Sequence, residues 1–76
     1  MAGRPPETSD GEYLRLIDTA AGPAVFTSEI AEAVGVSQQG AFARLSALRD
    51  DGLVDSKKGN ERIWWLTETG KRQVRR

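Results

Sequence analysis

The sequence predicts a small, mainly helical α+β domain, and three observations lead to this fold class. The chain has 76 residues, a length that suits one domain with a modest core. Apolar side chains recur at helical spacing in three segments of its first two thirds. Downstream, two short apolar runs flank a polar segment with a central glycine, which is the pattern of a β-hairpin.

The N-terminal part begins with a polar, proline-rich segment and then becomes helical. Residues 1–8 offer too little apolar surface to order themselves, so we expect a flexible tail followed by an ordered domain over residues 9–76. Ser9 and Glu12 have the spacing of a capping box at a helix start. Apolar side chains then recur at helical spacing until the Gly-Pro pair at 22–23, which should end this first helix.

A short extended run and a short helix are expected next. Residues 24–26 have the character of a small edge strand. The helix should cover residues 28–34, with Thr27 or Ser28 accepting a backbone N–H bond at its start. Gly35 lies where this helix must stop, because glycine adopts a positive φ at little cost.

The third helix is expected from Ser37, its cap, to Asp50, and Gly52 should close it. Such a pair of helices, held at a steep angle by a tight turn, suits insertion of the second helix into a DNA major groove. Apolar residues on both helices and in the turn should lock the pair together. The residues expected to lock it are Ile30, Val34, Val36 and Ala41, and those expected to form the buried side of the third helix are Ala41, Leu45 and Leu48.

A β-hairpin over residues 53–66 and a short C-terminal helix capped by Thr67 should complete the domain. Side chains alternate along a strand, so Trp64 and Trp65 should point to opposite faces of the hairpin. One of them must pack against the helices. The other needs a separate cover, either the last helix, a neighbouring subunit or solvent.

Charge is distributed unevenly along the chain although the net charge is zero. Residues 1–35 hold two basic and six acidic side chains, a net charge of −4. Residues 36–76 hold nine basic and five acidic side chains, a net charge of +4. The difference favours a basic face on an otherwise acidic body over an evenly mixed surface.

The composition argues against several classes of function. The chain contains no histidine and no cysteine, which removes His/Cys metal sites and Ser–His or Cys–His nucleophile pairs. It has no glycine-rich nucleotide-binding loop, and no apolar run long enough for a membrane span or a signal peptide. We therefore expect a cytoplasmic protein that is not an enzyme, with no cofactor, no metal and no membrane partner.

The element order and three motifs resemble the winged helix-turn-helix family of small bacterial and archaeal regulators. The motifs are Ile30-Ala31…Val34-Gly35-Val36-Ser37, then Arg44-Leu45…Leu48…Asp51-Gly52-Leu53-Val54, then Trp65-Leu66-Thr67-Glu68-Thr69-Gly70. The last two are similar to the L-x-x-x-G-L-V and L-T-x-x-G signatures of MarR-like domains. The Arg44-Leu45 pair followed by Gly52-Leu53-Val54 is also similar to repressor-like proteins of halophilic archaea and their viruses. The resemblance covers about residues 10–72 and implies a three-helix core, a β-hairpin wing and a short C-terminal helix.

The resemblance also implies a function, namely sequence-specific binding of double-stranded DNA by a transcriptional regulator, more specifically a repressor. Helix 37–50 would read the major groove, where a glutamine amide can pair with adenine. The wing, residues 55–62, would touch the adjacent backbone or the minor groove. Arginine contacts to phosphates would position the protein without specifying sequence. The expected DNA-binding residues are Ser37, Gln38, Gln39, Phe42, Ala43, Arg44, Arg49, Lys57, Lys58, Asn60 and Arg62.

Three alternatives stay open at this point. The Phe42 ring either touches a thymine methyl group or folds back over the edge of the core. The domain acts as a monomer or as a homodimer, for which helix 10–21 with Tyr13 and Leu14 is the candidate surface because residues 68–76 are short and charged. In a different functional class, the chain would be a winged-helix protein–protein interaction module in a transcription or chromatin assembly.

Overall fold

The elements of the computed structural model, which describes residues 9–20, 22 and 24–75, follow the predicted order. The helices are α1 (Asp10–Thr19), α2 (Thr27–Val34), α3 (Gln38–Asp50) and α4 (Glu68–Val74), and the strands are β1 (Val25–Phe26), β2 (Val54–Lys57) and β3 (Ile63–Leu66). The mainly helical α+β class is confirmed. The tail expected over residues 1–8 and the proline of the expected Gly-Pro helix stop lie outside the described residues.

The three strands form one antiparallel sheet in the order β1-β3-β2. Trp64 lies in the central strand, where it pairs with Val25 on one side and with Ser56 on the other. The sheet therefore joins the hairpin, which we call the wing (β2, β3 and the loop between them), to the residues that lead directly into α2.

One hydrophobic core lies between the helices and the inner face of the sheet. Trp64 is fully buried there, which confirms that one tryptophan packs against the helices. Burial of a large apolar side chain contributes about 1.5–3 kcal/mol to folding, so this cluster is the main source of stability in a small domain. Its members are Tyr13, Leu14, Ile17, Val25, Ile30, Ala31, Ala41, Leu45, Leu48, Val54, Trp64 and Leu66.

The position of Tyr13 and Leu14 corrects one expectation. These side chains are only 3% and 2% exposed, because the buried stripe of α1 faces the core, and they are not available as a dimer surface. Another part of α1 is held by α4 through an ion pair of 2.9 Å between Arg75 Nη2 and Asp18 Oδ1. The α1 side chains that remain exposed are mostly polar.

Helix α1 starts as predicted and ends two residues early. Ser9 Oγ accepts a hydrogen bond of 3.3 Å from the Glu12 N–H. At the other end, Thr19 Oγ1 donates to the Arg15 carbonyl at 3.0 Å, and Ala20 already has an extended backbone with ψ of 154°. A threonine hydroxyl that satisfies a last-turn carbonyl competes with further helix growth.

The cap of α2 differs from the prediction. The helix begins at Thr27, and its N-cap residue is Phe26 rather than Thr27 or Ser28. The Thr27 hydroxyl is committed elsewhere, because it accepts a hydrogen bond of 2.7 Å from Trp64 Nε1. It also donates to the Arg62 carbonyl at 3.2 Å.

Two carboxylates replace the missing hydroxyl cap of α2. Glu29 Oε1 accepts from the Phe26 N–H at 3.0 Å, and Glu61 Oε2 accepts from the Ser28 N–H at 3.1 Å. Carboxylates at a helix N-terminus satisfy free N–H groups and interact favourably with the helix dipole. Because Glu61 belongs to the wing, this cap also ties the wing to α2.

The turn between α2 and α3 has the predicted backbone. Gly35 adopts a left-handed conformation with φ of +79°, and Ser37 Oγ accepts from the Gly40 N–H at 3.0 Å. At the other end of α3, Gly52 has φ of +81°, and the Leu53 N–H donates to the Leu48 carbonyl at 3.0 Å. A glycine that follows each helix, Gly35 after α2 and Gly52 after α3, therefore adopts the positive φ that ends the helix.

The contact between α2 and α3 uses most of the predicted apolar residues. Ile30 and Ala41 are fully buried, and Val34 packs partly buried against the core. Val36, however, is 39% exposed, so its predicted part in locking the helices together is wrong.

Helix α4 is fixed to the rest of the domain at its first turn. Thr67 Oγ1 accepts from the Gly70 N–H at 3.0 Å and donates to the Gly52 carbonyl at 2.6 Å. The backbone of Gly70 lies so close to the Leu53 carbonyl that a β-carbon would overlap the oxygen. The absence of a side chain at Gly70 is thus what permits this packing.

Candidate nucleic-acid interface

The N-terminal half of α3 presents exposed amides and small side chains. Because Ala41, Leu45 and Leu48 point into the core, the opposite side of the helix faces solvent. Gln38, Gln39 and Ala43 are all exposed. The Ser37 hydroxyl is used as the helix cap. The residues expected to face the bases thus lie together at one end of an accessible helix.

The wing lies beside α3, since β2 packs against this helix. Lys57, Lys58 and Asn60 are exposed at its tip, and Arg62, the last residue of the loop before β3, is half-buried. Glu61 is the acidic residue of the same loop, and its carboxylate accepts a hydrogen bond at the N-terminus of α2. The tip therefore carries two exposed ammonium groups and an amide.

The structure distinguishes between the two interpretations of Phe42. Its ring meets Trp64 edge-on, with the ring centroids 5.8 Å apart and an interplanar angle of 68°. It also remains 41% exposed. The side chain folds over the edge of the core, as one interpretation expected, and still contributes apolar surface beside the α3 amides.

Arg44 is held by α1. Its Nε donates to Asp10 Oδ1 at 2.8 Å, and the two side chains are 39% and 54% exposed. Both charges also act on buried Tyr13. Burial raises the pKa of the Tyr13 hydroxyl, Arg44 partly offsets this rise, and Asp10 adds to it. The expected phosphate contact of Arg44 would have to be made from this α1-bound position.

Arg49 and Arg62 converge, although they come from different elements. Arg49 Nη1, from α3, donates to Ser56 Oγ at 3.1 Å, and Arg62 Nη1, from the wing loop, donates to the same oxygen at 2.9 Å. Each guanidinium carbon is 6.0 Å from the centroid of a Trp64 ring, and that of Arg62 is 5.6 Å from the Phe42 ring centroid.

Sequence reasoning missed Ser56, the residue that brings these arginines together. A lone serine in a strand carries no motif. The available signal was strand alternation, because Ser56 is two residues from the inward-facing Val54 and therefore shares its face. Its partners, however, come from α3 and the wing loop, and no local pattern identifies them.

The outer face of the sheet carries the second tryptophan. Trp65 and Ile63 are half-buried, and Phe26, which pairs with Ile63, is 44% exposed. Beside them lies an open groove of about 540 Å³, lined by Phe26, Lys57, Lys58, Gly59, Asn60, Glu61 and Ile63.

The part of the chain that the structure describes contains neither a candidate metal-binding cluster nor a membrane-spanning helix. No group of three or more Asp or Glu residues there is placed to hold a metal ion. No helix in residues 9–20 or 24–75 is long and apolar enough to cross a membrane.

No protein-family model and no curated protein matches this chain, but solved structures do. A MarR family transcriptional regulator from Streptomyces coelicolor superposes with a TM-score of 0.79 at 22% identity, over 86% of this chain and 46% of that chain. The transcriptional repressor CouR, bound to a 23-mer DNA duplex, gives 0.76 at 28% identity, over 86% and 47%. The PcaV transcriptional regulator from S. coelicolor, in complex with its natural ligand, gives 0.72 at 28% identity, over 92% and 52%.

The chain spans about half the length of these structures. The superpositions show that it has a MarR-like winged-helix fold, as the sequence motifs indicated. In this fold α2 and α3 are the helix-turn-helix and β2 and β3 are the wing. The matched proteins are transcriptional regulators.

Proposed function

We propose that this MarR-like winged-helix domain binds double-stranded DNA sequence-specifically and acts as a transcriptional repressor. The observation that carries the proposal is that α3 exposes side-chain amides while the wing packed beside it exposes basic side chains. The similarity to CouR, which was solved on a DNA duplex, supports it. The proposal includes no catalysis and no cofactor.

Helix α3 would enter the major groove with its N-terminal end first. Gln38 and Gln39 are exposed there, and a side-chain amide can both donate to and accept from adenine. Ala43 adds little bulk to the same face, so the helix can approach the base edges closely. The Phe42 ring, which is folded over the edge of the core and 41% exposed, would lie at the margin of this face.

The basic side chains would contact the sugar-phosphate backbone on either side of that groove. Lys57, Lys58 and Asn60 extend from the wing tip, and Arg44 lies on α3. Contacts of this kind supply affinity and fix the register of the protein, whereas the base contacts supply specificity. A substitution that removes one phosphate contact should therefore weaken binding to all sequences alike.

The first test is an NMR amide-shift titration of labelled protein with a mixed-sequence duplex, at low and then moderate salt. The proposal expects shifts in residues 37–49 and 57–62 that fade as salt is added, because phosphate binding depends on counterion release. Shifts confined to α1 and α4, or no shifts at low salt, would contradict it.

A variant series then tests the surface itself. Duplex affinity should fall when Gln39→Ala, Arg44→Ala and Lys57→Ala/Lys58→Ala are combined. Arg15→Gln is a matched control, because this arginine is exposed on α1, outside the helix-turn-helix and the wing. If the combined variant binds as tightly as the unaltered chain, the proposed surface is wrong.

The outer sheet face favours a second candidate function, a protein–protein interaction module in a transcription or chromatin assembly. Exposed Phe26 with half-buried Ile63 and Trp65 is the kind of apolar surface that proteins bind. Salt separates the two functions, since affinity for DNA falls steeply with salt and apolar docking does not. Retained partner binding at high salt, abolished by Phe26→Ser, would favour the interaction module.

The oligomeric state remains a prediction. A homodimer would read two half-sites about 34–36 Å apart or a multiple of this. Its interface would have to lie elsewhere than on Tyr13 and Leu14, which are buried. Light scattering of the protein alone and on a two-fold symmetric duplex measures the stoichiometry directly.

A further inference from the structure

We infer that Arg49, Arg62 and Ser56 form a clamp for a single phosphate group of the DNA backbone, at the junction of α3 and the wing. This inference rests on the proposed function and specifies one of its contacts. The clamp consists of two guanidinium groups, Arg49 and Arg62, and of one hydroxyl, Ser56, which holds them in place.

The first argument is geometric. Ser56 Oγ accepts from Arg49 at 3.1 Å and from Arg62 at 2.9 Å, which uses both acceptor positions of a hydroxyl. Both guanidinium carbons are 6.0 Å from a Trp64 ring centroid, within the range of a cation–π contact. The two cations are thereby positioned together before any ligand arrives.

The second argument is electrostatic. Within the described residues, neither Arg49 nor Arg62 forms an ion pair with a carboxylate, whereas Arg75 pairs with Asp18. Two positive charges thus share one neutral acceptor, and repulsion between them disfavours the arrangement unless an anion is bound. The neighbouring aromatic rings offset part of this cost.

The third argument concerns the chemistry of the anion. Each guanidinium has five N–H donors in a planar fork, so one bond to Ser56 leaves further donors for a ligand. Such forks match the paired oxygens of a phosphate. The site lies between an element proposed to enter the major groove and one proposed to lie on the flanking backbone. A phosphodiester on the edge of that groove is the phosphate such a site would meet.

Ser56 is a positioning residue in this scheme, because it acts only through the two arginines. Without its hydroxyl the guanidinium groups lose their common anchor and must be ordered when DNA binds. Ser56→Thr should rescue the affinity that Ser56→Ala removes, since threonine keeps the hydroxyl and suits a β-strand.

The test measures how log K for duplex binding changes with log salt in Arg49→Gln, Arg62→Gln and the double variant. Removing one phosphate from the interface reduces the magnitude of the slope by about 0.9. If both arginines hold one phosphate, the slope of the double variant should be smaller by about 0.9. Arginines on separate phosphates would give a reduction of about 1.8, which overturns the clamp. Arg15→Gln is the charge control and should leave the slope unchanged.

A second arm observes the Nε–H signals of Arg49 and Arg62 by NMR during titration with the duplex and, separately, with inorganic phosphate. Saturable shifts of both signals support the clamp, and a response to the duplex alone identifies the DNA backbone as the source of phosphate. Unchanged signals with both probes overturn it. Failure of the unaltered chain to bind duplex at low salt would instead overturn the proposed function. Duplex binding in which the two arginines contact separate phosphates would overturn the clamp and leave the proposed function standing.

Discussion

The indole of Trp64 donates a hydrogen bond of 2.7 Å to the hydroxyl of Thr27, and this bond joins the wing to the first helix of the helix-turn-helix. Trp64 is fully buried and Thr27 is 6% exposed, so water cannot replace either partner. Thr27 also donates to the Arg62 carbonyl at 3.2 Å. The wing is therefore tied directly to α2, the helix that packs against α3.

Thr27→Val should lower the free energy of unfolding by about 1–3 kcal/mol, the cost of leaving a buried N–H without an acceptor. Valine has nearly the same shape as threonine, so packing changes little. Urea denaturation measures the difference. Thr27→Ser, which keeps the hydroxyl, should cost clearly less, and equal stability of the two variants would show that the bond does not contribute.

Gly70→Ala should destabilise the domain even though alanine favours a helix over glycine by about 1 kcal/mol. The added β-carbon would overlap the Leu53 carbonyl oxygen, and overpacking costs about 1–3 kcal/mol. Thermal unfolding of Thr69→Ala, at an exposed position of the same helix, supplies the control. A Gly70→Ala variant as stable as this control would mean that α4 shifts without penalty.

Elements whose ends depend on local chemistry could be predicted from the sequence. Gly35, Ser37 and Thr67 act within a few residues of their own position, so a short pattern is enough to identify them. Gly70 belongs to the L-T-x-x-G motif, but the pattern did not reveal its physical role. That role depends on its contact with Leu53, seventeen residues earlier in the chain.

The features that sequence reasoning missed depend on distant partners. The predicted hydroxyl cap of α2 was wrong because the Thr27 hydroxyl bonds to Trp64. The Ser28 N–H instead donates to the carboxylate of Glu61, which lies 33 residues further along the chain. Ser56 was overlooked as a site residue for the same reason. Tyr13 and Leu14 were considered as a dimer surface, because the sequence alone could not show whether these α1 side chains face the core or a second subunit.

Glu61→Ala should expose the Ser28 amide to hydrogen exchange, because its acceptor at 3.1 Å is removed. The loss of a capping carboxylate should cost about 0.5–2 kcal/mol. Glu61→Gln separates charge from hydrogen bonding, since it keeps an acceptor oxygen. Glu32→Ala, at an exposed position of α2, is the control, and exchange at Ser28 that is the same in both alanine variants would contradict the proposed cap.

The stability of the domain should fall as the pH rises above the ordinary pKa of tyrosine, 10.0. Burial raises the pKa of Tyr13 in the folded state, so the unfolded chain releases this proton at lower pH than the folded chain does. The contribution to stability is therefore fully present below about pH 10 and is lost as the pH rises through the folded pKa. Urea midpoints measured across this range should decline less steeply in Tyr13→Phe, which retains every other titrating group.

The neighbouring charges give this prediction a second readout. Arg44 lowers the pKa of Tyr13 and Asp10 raises it, and the two are joined by their 2.8 Å ion pair. Absorbance titration of the phenol should therefore find a higher pKa in Arg44→Gln and a lower one in Asp10→Asn. A rise of the phenol pKa in one variant and a fall in the other would support the position of Arg44 against α1, from which its phosphate contact is proposed. An unchanged phenol pKa in Arg44→Gln would mean that the guanidinium lies away from Tyr13 in solution and would contradict this position.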